Sequence, residues 1–316
     1  MNIQELIGEI RLQPTWKSGG QRAPHKALTI LFALGRALQG HRIISYRVAE
    51  PELKNLLDGF GPPRDLQHPE YPVWLLRQFR GAPTGFWQLE GDTSGVEDAS
   101  KNPRPAEMRE HISFGLSESA WRVICEHSNN ARVLAMLLAA EIVPATLHQS
   151  LLDAVGIDMP TDWSPFDAAS AAPDAPLLLV GRKRVSSARF QRDPAFSRLV
   201  RDAYRSECAV CSIAPKLGDE LFGLEAAHIR WVNHEGPDII SNGLCLCRMH
   251  HVGFDKGAMK VDEQMRVRVS SRLDHSRPSD EMFRRFEGKE IRLPQNSTDN
   301  PHQTMLEWHW SEVFKP

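Results

Sequence analysis

Residues 208–255 read CAVCSIAPKLGDELFGLEAAHIRWVNHEGPDIISNGLCLCRMHHVGFD and hold four of the five cysteines of the chain. Cys208 and Cys211 form a Cys-x-x-Cys pair, a spacing at which two thiolates can bind one metal ion with bonds of about 2.3 Å. Cys247 and His250 are the simplest second pair, although His250 and His251 could exchange roles. The stretch therefore predicts a Cys3His zinc site, which would stabilise a segment with little hydrophobic core of its own.

The same stretch holds polar residues that a zinc site does not need. His228 and Asn242 lie between the two ligand pairs, and His251 follows the expected zinc ligand directly. A purely structural zinc ribbon would use the same four ligands without these three residues. Their order in the chain, His, Asn, His, resembles that of the HNH (ββα-metal) nucleases.

The resemblance to HNH nucleases implies a role for each of these residues. His228 would end the first strand of a hairpin and act as general base on the attacking water. Asn242 would hold the loop that carries this base and orient the imidazole. His251 would open the helix and bind a catalytic divalent ion, with Asp255 as a second ligand because it lies four residues further on the same helical face.

One position departs from the HNH pattern. Many HNH nucleases have an Asp or His ligand directly before the base, where this chain has Ala227, and Glu225 is a weaker substitute candidate. A hard ion such as Mg²⁺ or Mn²⁺ suits a histidine with a carboxylate, whereas soft thiolates select zinc. We therefore expect one structural Zn²⁺ and one catalytic Mg²⁺ or Mn²⁺.

The composition describes a globular chain that is long enough for two domains. Its 316 residues are 41% hydrophobic with a formal net charge of -2, so the overall charge does not indicate a nucleic-acid partner. No apolar run approaches a membrane span and the N-terminus lacks a signal pattern, so a cytoplasmic protein without membrane association is expected. Clustered cysteines in such a protein indicate metal binding rather than disulfides, and Cys125 and Cys245 are expected to be buried.

Residues 1–160 predict a mostly helical unit with a small sheet. The run ALTILFALGRALQG at 27–40 has apolar residues at helical spacing and ends at a glycine, and a second helix is predicted over 52–57. A strand over 73–78 is predicted to pair with 86–90 across the GAPTG turn. Ser117 is predicted to cap the N-terminus of the helix that follows it.

Two segments of this unit, PHKALTILFALGR at 24–36 and HPEYPVWLL at 68–76, resemble the sulfur-binding domain of McrA-type restriction endonucleases, which act on phosphorothioate-modified DNA. The resemblance implies that His25 and Lys26 approach the modified backbone and that Tyr71, Pro72 and Leu75 line a sulfur pocket. Sulfur is larger and less strongly hydrated than the oxygen it replaces, so apolar walls accept it. An oxygen there would lose its water without gaining a hydrogen-bond donor, at a cost of about 1 to 3 kcal/mol. This cost corresponds to a roughly ten- to hundredfold preference for binding sulfur.

Basic residues outside the pocket are expected to bind DNA with less specificity. Arg22 and Lys26 would attract phosphates, and the polar loop with Lys101 and Arg104 could reach base edges or the facing strand. After an Ala-, Pro- and Asp-rich segment, eight basic residues face only two acidic ones, a balance that suits an approach to DNA. These basic residues are Arg182, Lys183, Arg184, Arg189, Arg192, Arg198, Arg201 and Arg205.

These patterns and the two resemblances together imply an α+β protein. Its parts would be a mainly helical sulfur-binding domain with a small sheet (1–160), a linker (161–180) and an HNH ββα-metal domain with structural zinc (181–316). The predicted function is modification-dependent restriction of double-stranded phosphorothioated DNA. Two alternatives stay open. One is an HNH endonuclease that recognises another modification, such as methylcytosine, or an unmodified sequence. The other is a DNA-binding protein that is stabilised by zinc and does not cleave. Cutting of both strands by a single HNH site would favour a homodimer.

Overall fold

A computed structural model describes residues 1–13, 21–159 and 194–316. These residues divide into two compact units. The described part of the first unit is 1–13, 23–142 and 148–159, and that of the second is 21–22, 143–147 and 194–316. The predicted linker at 161–180 and the basic residues at 182–192 lie outside the described residues.

The first unit consists of helices around a small antiparallel sheet. Its helices are α1 Ile3–Leu12, α2 His25–Leu38, α3 Tyr46–Phe60, α4 Glu70–Leu75, α5 Pro105–His111, α6 Glu118–Glu126, α7 Ser128–Ile142 and α8 His148–Ala154. Its strands are β1 Ile43–Ser45, β2 Gln78–Phe79, β3 Ala82–Pro83, β4 Trp87–Glu90 and β5 Ser113–Leu116. Strands β1, β5 and β4 form one sheet in that order, and β2 pairs with β3. This content of helices and small sheets confirms the predicted α+β class.

Helix α2 is the buried helix of the first unit, as its apolar run predicts. Ten of its 14 residues are buried, and it packs against α3, α4, α6 and α7. A helix that is apolar on most of its circumference must be covered on most sides. Gly35 allows one such close approach, since a Cβ atom there would lie 1.7 Å from the carbonyl oxygen of Val155.

Three local predictions for this unit meet different outcomes. The strand expected at 73–78 is wrong, because Glu70–Leu75 forms α4 and β4 pairs with β5 instead. The apolar run at 73–76 is too short for its pattern to distinguish a buried helix from a strand, so tertiary packing decides. Ser117 does cap α6, since its hydroxyl accepts a hydrogen bond from the amide of Ala120. Cys125 is exposed rather than buried, because it lies on the solvent side of α6.

The second unit contains two β-hairpins, a further short β-ribbon and four α-helices within the described residues. Its helices are α9 Pro194–Ala203, α10 Arg248–Lys256, α11 Arg277–Met282 and α12 Gln303–Glu312. Its strands are β6 Lys216–Leu217, β7 Glu220–Leu221, β8 Leu224–His228, β9 Gly243–Cys247, β10 Met259–Val261 and β11 Val267–Val269. Neither here nor in the described part of the first unit does any helix combine the length and the apolar character needed to cross a membrane.

The β8–β9 hairpin and α10 form the centre of the second unit. Strand β8 pairs antiparallel with β9 from Leu224 opposite Cys247 to His228 opposite Gly243. Helix α9 packs Phe196 and Val200 against this hairpin. Cys245 is fully buried, as predicted, and β10 pairs antiparallel with β11 to form the other hairpin.

Candidate active site and metal centre

Three cysteines and one histidine converge beside the β8–β9 hairpin. The ligand atoms of Cys208, Cys211, Cys247 and His250 all lie within 4.8 Å of one another. His250 Nδ1 is 3.5 Å from Cys208 Sγ and 3.2 Å from Cys247 Sγ. A tetrahedral zinc ion with Zn–S bonds of about 2.3 Å and Zn–N bonds of about 2.0 Å requires S···N separations of about 3.5 Å. The donor set and its spacing therefore fit a metal ion.

The surroundings of this cluster prepare its ligands for a metal. His250 Nε2 lies 2.7 Å from the carbonyl oxygen of Met282, which accepts the Nε2 proton and directs Nδ1 toward the sulfurs. The rings of Phe283 and Phe286 contact the His250 imidazole edge to face. Hydrogen bonds from the Cys211 and Cys247 thiols lower the pKa of Cys208, and the hydrogen bond shared with Cys208 raises the pKa of Cys211, so Cys208 is the first of the two to take the thiolate form that binds metals.

His228 ends strand β8, as the resemblance implies, and its ring is held from two directions. Its Nε2 atom is 2.7 Å from Asp238 Oδ1. Phe196 of α9 stacks on the imidazole with ring centroids 4.0 Å apart and an angle of 14° between planes. About 10% of the His228 side chain is exposed, so the side chain is not fully sealed from solvent.

Asn242 lies in the loop before β9 and is fully buried. Its Oδ1 accepts a hydrogen bond from the amide of Arg230 at 2.9 Å. Its Nδ2 donates to the carbonyl oxygens of Arg230 at 3.0 Å and Pro237 at 2.9 Å. Asn242 thus closes the loop that connects His228 to Asp238.

His251 lies in the first turn of α10 between two carboxylates. Glu225 Oε2 of β8 is 2.6 Å from its Nδ1, and Asp255 Oδ2 is 3.1 Å from its Nε2. Arg248 NH1 donates to the other Glu225 oxygen at 2.7 Å. The Glu225 side chain is 23% exposed and the Asp255 side chain 2%, so the Glu225 side of the imidazole is the accessible one.

Asp255 is surrounded by hydrogen-bond donors. Trp231 Nε1 donates to Oδ1 at 3.2 Å, and the Thr146 hydroxyl donates to Oδ2. Burial alone would raise the pKa of Asp255, but the charge of His251 and the hydrogen bonds from His251 and Thr146 outweigh it and lower the pKa. A buried carboxylate whose two oxygens both accept hydrogen bonds is held in place and can in turn hold the His251 imidazole in one orientation.

The residues of the second unit that the sequence predicts to be metal ligands thus form two separate clusters. His250, and not His251, joins the three cysteines. His251 faces Glu225 and Asp255 from its two nitrogens. The sequence reasoning missed Asp238 as the partner of His228; its position in the turn before Asn242 was the available signal.

In the first unit, α4 carries three residues expected to line the sulfur pocket. Tyr71 is half-buried, Pro72 is buried and Leu75 is 39% exposed. The Tyr71 ring contacts His68 edge to face, and His68 Nδ1 is 2.8 Å from the buried carboxylate of Glu70. A small apolar surface with one aromatic ring is therefore presented by this helix.

His25 and Lys26 open α2, which packs against α4. Both residues are half-buried. Lys26 Nζ is 3.4 Å from Gln13 Oε1, and burial lowers the pKa of Lys26 below its ordinary value. The helix contact brings the two segments that carry the resemblance into one part of the unit.

The loop with Lys101 and Arg104 is fastened to α4 by Glu97. Glu97 Oε1 accepts hydrogen bonds from Trp74 Nε1 at 2.8 Å and Arg77 NH2 at 2.9 Å. Lys101, at positive φ, exposes 82% of its side chain, and Arg104 donates to the carbonyl oxygen of Gly95. Lys101 is therefore the more available cation of the two.

Arg22 does not occupy the expected surface position. It belongs to the second unit, where it is 3% exposed and its NH1 donates to the carbonyl oxygen of Glu312 at 2.7 Å. Its guanidinium lies 4.3 Å from the centroid of the Trp231 ring. Burial lowers the pKa of Arg22 to about 9 against the opposing charge of Glu312. A guanidinium with these partners contributes to packing and is not presented to a phosphate.

Two family models match this chain. The model of the ScoMcrA-like DNA sulfur-binding domain matches residues 3–160, and a model of the HNH endonucleases matches residues 208–262. The second range contains the Cys3His cluster, His228, Asn242 and His251.

Solved structures give weaker matches. One, titled as the sulfur-binding domain of SprMcrA complexed with phosphorothioated DNA, is 20% identical with a TM-score of 0.40, covering 50% of this chain and 95% of that one. Another, the modification-dependent TagI restriction endonuclease, is 24% identical with a TM-score of 0.28. The match spans 37% of this chain and only 37% of the TagI chain. No curated protein matches.

Proposed function

Because the chain belongs to the family with a ScoMcrA-like DNA sulfur-binding domain and also carries an HNH endonuclease domain, we propose that it is a modification-dependent restriction endonuclease. Its substrate is double-stranded DNA with a phosphorothioate linkage, and its reaction is phosphodiester hydrolysis. The observation that carries this proposal is the presence, in one chain, of a sulfur-binding domain and of His228, Asn242 and His251 in the arrangement described above.

The first unit would read the modification. Tyr71 and Leu75 offer accessible apolar contacts to a sulfur atom, and the buried Pro72 belongs to the same helix. His25 and Lys26 stand at the start of α2, which packs against that helix. A phosphate oxygen placed against such a surface would lose water without gaining a donor. Lys101, and to a smaller extent Arg104, would add phosphate or base-edge contacts from the neighbouring loop.

The second unit would carry out hydrolysis with His228 as general base. The imidazole accepts a proton from a water molecule as the water oxygen forms a bond to phosphorus. The P–O3′ bond breaks with its electron pair remaining on the 3′-oxygen, which takes a proton from solvent. A histidine is suited to this step because its pKa lies near neutral pH. Asn242 keeps the base in place by closing its loop.

Glu225 and His251 are the residues that would hold the catalytic divalent ion. An imidazole beside a partly exposed carboxylate fits Mg²⁺ or Mn²⁺, and Asp255 would then orient His251 from the opposite nitrogen. This assignment moves the ligand role expected for Asp255 to Glu225, the weaker candidate by sequence, because Glu225 is the more exposed of the two carboxylates. When bound, the ion supplies positive charge that offsets the charge developing on the phosphate and the leaving oxygen.

Zinc is the proposed ion of the Cys3His cluster. Three sulfurs and one imidazole nitrogen match the tetrahedral coordination that zinc adopts in structural sites. The proposed domain limits are 1–160 and 181–316, joined by 161–180. Since one HNH site holds one scissile strand, cutting of both strands would favour a homodimer.

The proposal is tested with two synthetic duplexes that differ only in one stereodefined Rp phosphorothioate. Both are incubated with the full chain in Mn²⁺ or Mg²⁺ and scored for retention and for cutting, with His228→Ala as the inactive control. Retention and cutting of the sulfur-bearing duplex alone are expected.

Each other result has a distinct meaning. Equal treatment of both duplexes would remove sulfur recognition and leave an endonuclease that reads another mark or plain sequence. Retention of the modified duplex without cutting in any divalent ion would make the chain a non-cleaving DNA-binding protein. Full cutting by His228→Ala would remove the assigned base.

A further inference from the structure

The contact between His228 and Asp238 carries an inference beyond the residues assigned above. Resting on the proposed nuclease function, we propose that Asp238 is the positioning residue of the general base: it accepts the Nε2 proton of His228 and directs Nδ1 toward the water. The two groups are 2.7 Å apart, with His228 at the end of β8 and Asp238 in the loop that Asn242 closes. Asp238 would act through His228 and not on the substrate itself.

Two contacts together determine the orientation of the imidazole. The Phe196 ring, 2% exposed, stacks on one face of His228 and defines the plane of the imidazole. Asp238 contacts the edge of the ring and thereby determines the direction of Nδ1 within that plane. Neither contact alone would determine both the plane of the imidazole and the direction of Nδ1.

Asn242 supports this arrangement from the opposite side of the loop. Its amide bonds to the carbonyl oxygen of Pro237, the residue directly before Asp238, and to both main-chain groups of Arg230. The loop is tight enough that a Cβ atom on Gly236 would lie 1.8 Å from the Arg230 carbonyl oxygen. Asn242 therefore places the carboxylate as well as the imidazole.

The chemistry of imidazole explains why a carboxylate is useful at this position. Neutral histidine carries one N–H and one lone pair, and which nitrogen has the proton depends on the hydrogen bond made by the other. A carboxylate at Nε2 favours the Nε2–H form, which puts the lone pair on Nδ1. When Nδ1 takes the proton of the water, the carboxylate also stabilises the imidazolium that results.

Asp238 lies on the exposed side of the loop, with 45% of its side chain accessible, so this contact is not needed to fill a core. Glu235 of the same loop provides a matched control. Its carboxylate is 79% exposed and pairs with Arg230 NH2 at 3.5 Å, away from His228. Substitution of either acid changes the charge of the loop by the same amount.

The test compares single-turnover cleavage of the phosphorothioated duplex by Asp238→Asn, Asp238→Glu and Glu235→Gln. Loss of a hydrogen-bonded partner that orients a metal-bound histidine costs roughly 10- to 100-fold in activity, and we take the same range for the general base. We expect Asp238→Asn to lower the single-turnover rate constant by that factor, with the protein concentration at half-maximal rate within about twofold, and Asp238→Glu to recover part of the loss. Glu235→Gln should cleave at the wild-type rate.

A second readout follows the tautomer of His228 directly. In protein with ¹⁵N-labelled histidine, His228 is identified by the signals missing from His228→Ala. The wild type should show the Nε2–H form at neutral pH, and Asp238→Asn a mixture of both forms. An Nδ1–H form in the wild type, or an unchanged tautomer in a slowed Asp238→Asn, would overturn the inference.

The proposed function and this inference fail in different ways. If His228→Ala cleaves normally, the base assignment and the inference fail together. If His228→Ala is inactive while Asp238→Asn cleaves as fast as the wild type, only the role of Asp238 is lost. Asp238→Asn has nearly the same size as the native residue, and its zinc content reports whether the unit is folded.

Discussion

The Sγ atoms of Cys211 and Cys247 lie 4.0 Å apart although 36 positions separate them in the chain. Two thiolates on one tetrahedral zinc ion with bonds of about 2.3 Å are separated by about 3.8 Å. The fold therefore brings the Cys-x-x-Cys turn that precedes the β8–β9 hairpin to the end of strand β9.

We expect Cys211→Ser to lose zinc and to destabilise the second unit, because structural zinc binding contributes directly to folding. Metal analysis of the purified chain and thermal unfolding followed by circular dichroism measure both effects. Cys245→Ala is the control, since Cys245 is buried beside the cluster without being part of it. Stoichiometric zinc in Cys211→Ser would contradict the ligand assignment.

His228→Ala should lower cleavage by about 10²- to 10⁴-fold, the range for loss of a general base, while binding to the modified duplex stays within about twofold. His228, Phe196 and Asp238 belong to the second unit, whereas the residues proposed to bind sulfur belong to the first. Cleavage assays and gel retardation with the same duplex measure the two properties. Parallel losses of binding and cleavage would instead point to a folding defect.

Glu225→Gln should raise the Mn²⁺ concentration for half-maximal cleavage by about tenfold or more, because it removes one proposed ligand. Titration of Mn²⁺ at saturating duplex measures this concentration. Glu220→Gln is a control, since Glu220 lies on the exposed β7 strand. An unchanged Mn²⁺ requirement in Glu225→Gln would return the ligand role to Asp255.

Tyr71→Ala should reduce the preference for sulfur over oxygen, estimated above at roughly ten- to hundredfold, to nearly none. Competition between modified and unmodified duplexes measures the preference. Val48→Ala removes a side chain that is 65% exposed in the same unit and should leave it unchanged. If Tyr71→Ala retains the full preference, the pocket lies elsewhere in the first unit.

His309 should make the second unit less stable in mild acid. It is fully buried, and burial lowers its pKa from 6.5 to about 4, while its Nε2 lies 3.0 Å from the Phe254 carbonyl oxygen. The unfolded chain binds a proton below about pH 6.5 and the folded chain does not until about pH 4. Stability therefore falls as the pH drops through this window, by about 2 kcal/mol between pH 7 and pH 5.

Denaturant unfolding of the wild type and His309→Gln at both pH values measures this contribution. All other titratable groups are common to the two proteins. The difference between the two proteins should therefore change with pH by about 2 kcal/mol. An equal pH dependence in both would show that His309 does not contribute.

Much of the second unit could be predicted from short-range sequence patterns. Cys208, Cys211, Cys247 and His250 were identifiable because metal ligands on a knuckle or a helix turn follow narrow spacings. The position of His228 at a strand end followed from its motif. These features depend on local backbone geometry, which neighbouring residues largely determine.

The tertiary structure decided the partners of these residues. Glu225 reaches His251 only because β8 lies beside the start of α10, and the burial of Asp255 depends on Trp231 and Thr146. The run at 70–75 became a helix because packing, and not its composition, resolved an ambiguous pattern. Arg22 looked like a surface cation and is buried against Glu312.

The sequence by itself thus determined which chemical groups this protein has and the order in which they occur. Only the tertiary structure decided which carboxylate faces which imidazole nitrogen. The physical reason is that a hydrogen bond requires partners within about 3 Å, and residues remote in the chain reach that distance only through the packing of whole elements.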